Sequence, residues 1–279
     1  MIISELLTEA TGLLENSSDS ARLDAEILLC HLLQKDRAYL ITWPEKELDS
    51  LTVETYQQLI QRRLGGEPIA YITGQREFWS LNLSVNQHTL IPRPETELLV
   101  EHILELFPAN SRIKLADLGT GSGAIALALA SERPKWQIIA TDQSAEAINI
   151  AEQNAAQLKL DNIEFRQGSW FQPLTGELFD IIVSNPPYIA DNDEHLRQGD
   201  VRFEPRSALS SGADGLDDIR QIADQARQYL HSAGLLIVEH GYDQQQEIQQ
   251  IFNSLGYKKI LQLEDIAKKP RVTLGYWYI

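Results

Sequence analysis

The chain has 279 residues, 43% of them hydrophobic, and a formal net charge of −16 at pH 7. This length allows one large hydrophobic core and a second, smaller one, so two domains are expected. The negative charge argues against a nucleic-acid partner, because proteins that bind phosphate backbones usually present a basic surface.

The N terminus and the cysteine content bear on compartment and metal use. Glu5 and Glu9 stand where a signal peptide would carry basic residues, and no apolar run approaches the roughly 18 residues of a membrane span. We therefore expect a cytoplasmic protein without membrane contact. The single cysteine, Cys30, lies among leucines and is expected to be a buried structural thiol. The six histidines show no metal-ligand spacing, so no metal is predicted.

The first quarter of the chain reads as helical. Between residues 4 and 74 apolar residues recur at helical spacing without strand alternation, which predicts a small helical bundle. From residue 78 to 90 the apolar period changes to two, with Leu81, Leu83 and Val85 on one side. This change predicts a short hairpin that joins two domains. The predicted divisions are a helical domain at 1–75, a hairpin linker at 76–92 and a third segment at 93–279.

The remainder alternates between apolar strand segments and helical segments, starting with a helix that has Pro94 near its first turn. The strand segments centre on 115, 138–139, 163–165, 181–183 and 235–238. Two last segments, 258–263 and 272–278, predict an antiparallel edge. The predicted fold class is therefore α/β, a Rossmann-like doubly wound sheet preceded by the small helical bundle.

A glycine-rich turn follows the first of these strands. Residues 113–118 run into Gly119-Thr120-Gly121-Ser122-Gly123, and an Ala- and Leu-rich helix begins directly afterwards. Glycines let the backbone approach a ligand closely, and a helix N terminus offers free N–H groups. The spacing of these glycines differs from that of a dinucleotide-binding loop. Asp142 follows the next strand, where a carboxylate can accept both ribose hydroxyls of a nucleoside. A tight turn without a ligand is the alternative.

The stretch Asn185-Pro186-Pro187-Tyr188 follows the strand segment at 179–184. Two prolines fix the backbone and lack N–H groups, so the Asn side chain and the neighbouring carbonyls are held as hydrogen-bond partners. A tyrosine at this place can lay its ring over a flat, NH2-bearing group. This combination suits methylation of a planar nitrogen. A strand that simply ends in a proline-rich turn is the alternative.

The glycine loop, Asp142 and the Asn185 stretch, in this order, resemble the class I S-adenosylmethionine-dependent methyltransferases. Over nearly the whole chain the sequence is similar to the HemK-type methyltransferases, which modify a glutamine in peptide chain release factors. The stretches that carry this resemblance are 66–74, 76–79, 90–97, 119–123, 185–189 and 200–205. The resemblance implies a helical N-terminal domain that helps to dock the release factor, a hairpin linker and a Rossmann-like catalytic domain.

The resemblance also implies roles for individual residues. The glycine loop, including Thr120 and Ser122, would contact the methionine part of S-adenosylmethionine, Asp142 its ribose, and Trp170 the region near its adenine. Asn185 would touch both cofactor and substrate. Relatives commonly have an Asp directly before the tryptophan, where this chain has Ser169.

The hypothesis for catalysis rests on Asn185 and Pro186. The Asn185 side-chain oxygen and the Pro186 carbonyl would accept the two N–H bonds of the substrate glutamine, while Tyr188 clamps the amide plane and Pro187 stiffens the substrate site. The long segment from 191 to 213 is expected to form a lid or a substrate groove.

Two other functions stay open at this point. The same Asn-Pro-Pro-Tyr stretch occurs in nucleic-acid amino methyltransferases, although the acidic composition counts against direct nucleic-acid contact. A cofactor-binding protein without turnover is the other possibility. The preferred interpretation is a monomeric enzyme that acts on release factors.

Overall fold

Residues 1–278 are described by the computed structural model, and they form two compact units. The first unit contains residues 1–75 together with residues 197–203. The second unit contains the rest of the described chain. No sequence pattern indicated that residues 197–203 would join the N-terminal helices.

The first unit is built from helices α1 (Ile3–Leu14), α2 (Ala21–Leu33), α3 (Arg37–Thr42), α4 (Ser50–Leu64) and α5 (Ile69–Thr73). Their apolar faces form a core of their own, which confirms the predicted helical bundle. Inside it the Tyr56 hydroxyl donates a hydrogen bond of 2.9 Å to the Ala25 carbonyl. Cys30 packs at the margin of this core, and burial raises the pKa of its thiol.

An arginine on α4 connects residues 197–203 to the helices of this unit. The Arg63 guanidinium lies 2.8 Å from a carboxylate oxygen of Asp24 and 2.8 Å from one of Asp200. Both Arg63 and Asp24 are nearly buried, so removing one partner would leave the other charge uncompensated. Arg202 adds a hydrogen bond of 3.1 Å to the Gly65 carbonyl. The segment is therefore held by one ion pair and by one hydrogen bond from a charged side chain.

A two-stranded hairpin follows, formed by β1 (Gln75–Phe78) and β2 (Leu81–Ser84). Its turn residues Trp79 and Ser80 both have left-handed backbones, with φ of 52° and 58°. This is the conformation that a two-residue hairpin turn requires. The hairpin starts earlier than the predicted stretch 78–90, because β1 is mostly polar and shows no apolar period.

Within residues 1–278, seven strands form one sheet in the order β5-β4-β3-β6-β7-β9-β8. The strands are β3 (Lys114–Leu118), β4 (Gln137–Asp142), β5 (Ile163–Gln167), β6 (Phe179–Ser184), β7 (Leu230–Glu239), β8 (Lys258–Glu264) and β9 (Pro270–Trp277). Only β9 runs antiparallel to its neighbours on both sides. The helices on the two faces are α6 (Glu97–Leu106), α7 (Ala124–Glu132), α8 (Ala145–Leu158), α9 (Asp217–Ala226) and α10 (Gln245–Leu255). The doubly wound sheet and its antiparallel edge are thus confirmed.

The strand order reverses between β3 and β6. The chain moves outward from β3 through β4 to β5 and then returns to β6 on the other side of β3. Open α/β sheets bind their ligands at such a switch point, outside the carboxyl ends of the strands. Leu118 pairs with Ser184, and Ser184 also pairs with Val238 of β7. The glycine loop, the Asn185 stretch and the end of β7 therefore emerge side by side.

Residues 1–278 contain neither a membrane-spanning helix nor a cluster of metal ligands. No helix in this part of the chain is long and apolar enough to cross a membrane. No group of three or more histidine, cysteine or acidic side chains in it could hold a metal ion.

Candidate active site

A cavity opens at the switch point of the sheet, entirely within the second unit. Six of the residues singled out from the sequence line it: Gly119, Gly121, Asp142, Trp170, Asn185 and Pro187. They come from four separate strand ends, which the fold brings together. Thr120, Ser122, Gly123, Pro186 and Tyr188 are absent from the cavity wall as the described residues form it.

The glycine loop is shaped by the tryptophan packed against it. Gly119 has a φ of 73°, and a Cβ atom there would lie 3.1 Å from the Trp170 ring. The amides of Gly119 and Thr120 both donate 2.9 Å hydrogen bonds to the Thr141 carbonyl, which fixes the loop against β4. The Trp170 backbone is left-handed, with a φ of 46°, and its carbonyl accepts a 3.2 Å hydrogen bond from the Thr141 hydroxyl. Only a glycine lets the ring and the loop approach this closely.

Asp142 ends β4 and presents its carboxylate at the cavity. Burial raises the pKa of Asp142, while backbone N–H groups oppose that shift. The amides of Ser144 and Gly121 each donate a 2.9 Å hydrogen bond, one to each carboxylate oxygen. Each oxygen keeps a further acceptor site. A half-buried acceptor at this strand end fits the hydroxyls of a ribose.

Two buried side chains, Asp117 and Asn154, bind the glycine loop on the side away from the cavity. Asp117 is fully buried at the end of β3, and burial raises its pKa to about 7. The Thr120 hydroxyl donates a 2.7 Å hydrogen bond to its Oδ2. Asn154 similarly binds the Ser122 carbonyl at 2.9 Å. Thr120 and Ser122 therefore stabilise the loop conformation on the side that faces away from the cavity.

Asn185 is anchored at one end of its amide only. Its Nδ2 donates a 3.1 Å hydrogen bond to the Thr96 hydroxyl, whereas Oδ1 has no hydrogen-bond partner among the described residues. The Pro186 carbonyl likewise accepts no hydrogen bond within that part of the chain. Of these two unpaired acceptors, only Asn185 Oδ1 belongs to a residue that lines the cavity, because Pro186 is buried outside its wall.

Tyr188 points inward instead of onto the cavity. Its ring packs against the hydrophobic core beneath the sheet, and its hydroxyl donates a 3.3 Å hydrogen bond to Glu239 at the end of β7. Burial raises the pKa of Tyr188. Its place suits support of the loop from behind better than a clamp over a substrate. Glu239 was missed from the sequence, although an acidic residue directly after an apolar strand is a detectable signal.

The segment from 191 to 213 contributes part of the cavity wall. Pro205, Ser207 and Ala208 line it. Glu204 is buried and accepts a 3.0 Å hydrogen bond from the Ile91 amide as well as a charged one from Arg93. This ion pair fixes the start of the wall.

Comparisons with known proteins agree with this geometry. Residues 5–74 match the family described as the PrmC N-terminal domain, and residues 109–271 match a methyltransferase domain family. A release factor glutamine methyltransferase from Shewanella oneidensis is 50% identical over 99% of this chain and 96% of its own length. The protein of that name from Vibrio cholerae is 52% identical over 99% and 96%. A methyltransferase structure from Pyrococcus furiosus, 16% identical, shares the fold with a TM-score of 0.54 over 81% of this chain and 100% of its own.

The fold and the site together define a class I methyltransferase, with S-adenosylmethionine as methyl donor. The glycine loop, the half-buried Asp142 carboxylate and the Trp170 ring fit that cofactor. More narrowly, the identity over nearly the full length shows that the chain belongs to the release factor glutamine methyltransferase family.

Proposed function

We propose that this protein methylates the side-chain amide nitrogen of a glutamine in peptide chain release factors, at the cavity beside Asn185. The observation that carries the proposal is the Asn185 amide, whose Nδ2 is tied to Thr96 while its Oδ1 stays available. The names of the close relatives support the identity of the substrate.

A carboxamide nitrogen is a poor nucleophile because its lone pair is delocalised into its carbonyl. The enzyme therefore has to orient the nitrogen and stabilise the positive charge that develops on it. In our proposal the Asn185 Oδ1 and the Pro186 carbonyl accept the two N–H bonds of the substrate. These fixed acceptors position the nitrogen and favour the developing charge without reorganising. S-adenosylmethionine supplies an electrophilic methyl group when it is bound. The methylated nitrogen becomes neutral again by releasing one of its N–H protons to water.

The remaining site residues fall into two groups. Gly119, Gly121, Asp142 and Trp170 line the cavity and would contact the cofactor, with Asp142 at its ribose. Thr120, Ser122 and Gly123 keep the loop in its conformation. Pro187 forms part of the cavity wall. Tyr188 supports the loop from its buried side. In this assignment Tyr188 stabilises the loop and does not contact the substrate.

The helical unit is the proposed docking platform for the release factor, which its match to the PrmC N-terminal domain supports. We further propose that the enzyme is a cytoplasmic monomer that needs no direct contact with nucleic acid. Size-exclusion chromatography with light scattering tests the monomer, and the labelling experiment below tests the substrate class.

The purified protein is incubated with labelled S-adenosylmethionine and, separately, with release factor, duplex DNA or ribosomal RNA, and mass spectrometry locates the label. We expect label on one release-factor glutamine. Asn185→Ala should lower turnover at saturating substrate about 100-fold, because the positioning acceptor is lost. Asn253→Ala, at an exposed asparagine of α10, is the matched control. Label on nucleic acid alone would refute the protein substrate, and near-normal turnover of Asn185→Ala would refute the mechanism.

A further inference from the structure

Two loops outside the sheet line the cavity together with the strand ends. The first wall loop, residues 85–93, follows β2 and lines the cavity with residues 88–90. The second wall loop, residues 204–208, contributes the wall residues Pro205, Ser207 and Ala208. Neither loop belongs to a strand, so the hydrogen bonds of the sheet do not fix its position. The shape of this part of the cavity therefore depends on other contacts.

A single buried carboxylate joins the two wall loops. Glu204 begins the second wall loop, and its side chain is fully buried. Its Oε2 accepts a 3.0 Å hydrogen bond from the Ile91 amide, and its Oε1 accepts a charged hydrogen bond from the Arg93 guanidinium. Both partners belong to the first wall loop and follow directly after its cavity-lining residues. Ile91 and Glu204 are 113 positions apart, so the chain itself does not keep the two loops together.

The two contacts of Glu204 favour the arrangement in which the loops meet. A buried carboxylate is costly unless it is paired with a positive charge and hydrogen-bonded. Glu204 meets both conditions, with a guanidinium at one oxygen and a backbone amide at the other. Separating the loops would break both contacts at once. The carboxylate therefore acts on the relative position of the two loops.

The other end of the first wall loop is held in a similar way. Asn154 on α8 is buried, and its amide forms three hydrogen bonds with backbone groups. Its Oδ1 accepts from the Ser84 amide at 2.8 Å, and its Nδ2 donates to the Ser84 carbonyl at 3.1 Å and to the Ser122 carbonyl at 2.9 Å. Ser84 ends β2 directly before the loop, and Ser122 belongs to the glycine loop. The first wall loop thus has a buried polar anchor on each side of its cavity-lining residues.

We propose that Glu204 is a positioning residue, whose carboxylate holds the first wall loop against the second and so gives the cavity the shape that binds the cofactor. A ligand that meets fixed walls loses less free energy to ordering them. Glu204 is not part of the cavity wall that residues 1–278 form, so it acts through the two loops. The inference rests on the part of the proposed function that puts S-adenosylmethionine in this cavity, and not on the identity of the methyl acceptor.

The test compares Glu204→Gln with the wild-type enzyme. Glutamine keeps the shape, and its oxygen can still accept from Ile91, but its NH2 group then opposes the donors of the Arg93 guanidinium. We expect the Kd for S-adenosylhomocysteine, measured by calorimetry, to rise about tenfold, and the KM for S-adenosylmethionine to rise with it. Turnover at saturating cofactor should stay within about twofold of the wild type, because Asn185 is bound by Thr96 and not by Glu204. A residue that only supported folding would not divide the effect between KM and kcat in this way.

Glu26→Gln in the helical unit is the matched control. Glu26 is also a nearly buried glutamate, and it accepts hydrogen bonds from Arg22 at 2.6 Å and from Arg37 at 2.8 Å. Its replacement should lower stability in urea unfolding and leave the Kd for S-adenosylhomocysteine unchanged. An equal loss of affinity in Glu26→Gln would show that general destabilisation causes the effect, and the inference would fail.

Arg93→Met tests the same pair from its other side and carries the test if Glu204→Gln does not fold. Methionine offers no donor to the carboxylate, so the Kd should rise by a similar factor. The double variant of Arg93→Met and Glu204→Gln should bind no more weakly than either single one, because both break the same pair. Additive losses, or a wild-type Kd in either folded single variant, would overturn the inference, and packing of the buried Val85 and Ile91 would then suffice to hold the loop. Failure of the wild-type enzyme to bind S-adenosylhomocysteine would instead refute the cofactor site of the proposed function.

Discussion

The buried Asp117 beneath the glycine loop predicts an unusual dependence of stability on pH. Burial holds the pKa of Asp117 at about 7 in the folded protein, against 3.8 when the chain is unfolded. The folded state therefore keeps a proton that the unfolded state releases, so stability is lost as pH rises through this interval. At about 1.4 kcal/mol per pH unit, the whole interval is worth about 4 kcal/mol.

Asp117→Asn isolates this contribution. An asparagine cannot ionise, and it keeps an oxygen that can accept from the Thr120 hydroxyl. Its buried NH2 group costs stability as well, but that cost does not depend on pH. The stability difference between variant and wild type should therefore shift in favour of the variant by about 3 kcal/mol between about pH 5 and about pH 8.5.

Urea unfolding at the two pH values, followed by circular dichroism, measures this change. The comparison between variant and wild type removes the contribution of Glu239, whose pKa is also raised to about 7. Parallel pH profiles of the two proteins would show that Asp117 is ionised in the folded state at low pH, and the reasoning from burial would fail.

Two further substitutions test the cavity and the helical unit. Gly119→Ala should weaken S-adenosylhomocysteine binding about tenfold by calorimetry, because its Cβ would press on Trp170. Gly176→Ala has a similar left-handed φ of 83° but open space, so it should cost about 1 kcal/mol of stability and bind normally; equal affinities would deny that contact a role. Arg63→Met should destabilise the first unit by about 3 kcal/mol in urea unfolding, since Asp24 stays buried with only the Ser18 and Ser20 hydroxyls and no opposite charge. An unchanged midpoint would show that the ion pair contributes nothing net.

The sequence was most informative where local pattern and function coincide. The parallel strands carry continuous apolar runs, and the ligand-binding residues follow directly after them, so their meeting at one edge could be expected from topology. The antiparallel edge after Lys258 was also visible from alternation and a turn. These features depend on residues close together in the chain.

Features that depend on distant partners could not be predicted. Arg63 and Asp200 are separated by 137 positions, and neither is unusual in its local sequence. The proline stretch does not reveal which side of its loop is buried. The sequence therefore predicts Tyr188 at the substrate, whereas its ring packs against the core. Glu239, its partner, comes 51 positions later. Side-chain direction after a strand end is set by packing, which alternation within the strand does not determine.

Three carboxyl groups stand at the ends of parallel strands around this site: Asp117 on β3, Asp142 on β4 and Glu239 on β7. Burial raises the pKa of each. Such a group ionises more readily when positive charge appears nearby, because opposite charge favours the ionised form. When methyl transfer leaves positive charge on a substrate nitrogen, that charge therefore lowers the cost of ionising these three carboxyl groups, and their negative charge in turn stabilises it. Because desolvation is the main cause of each raised pKa, burial by itself would disfavour a cation as well. The developing charge is stabilised only by those carboxyl groups that are ionised, together with the fixed acceptors at the end of β6.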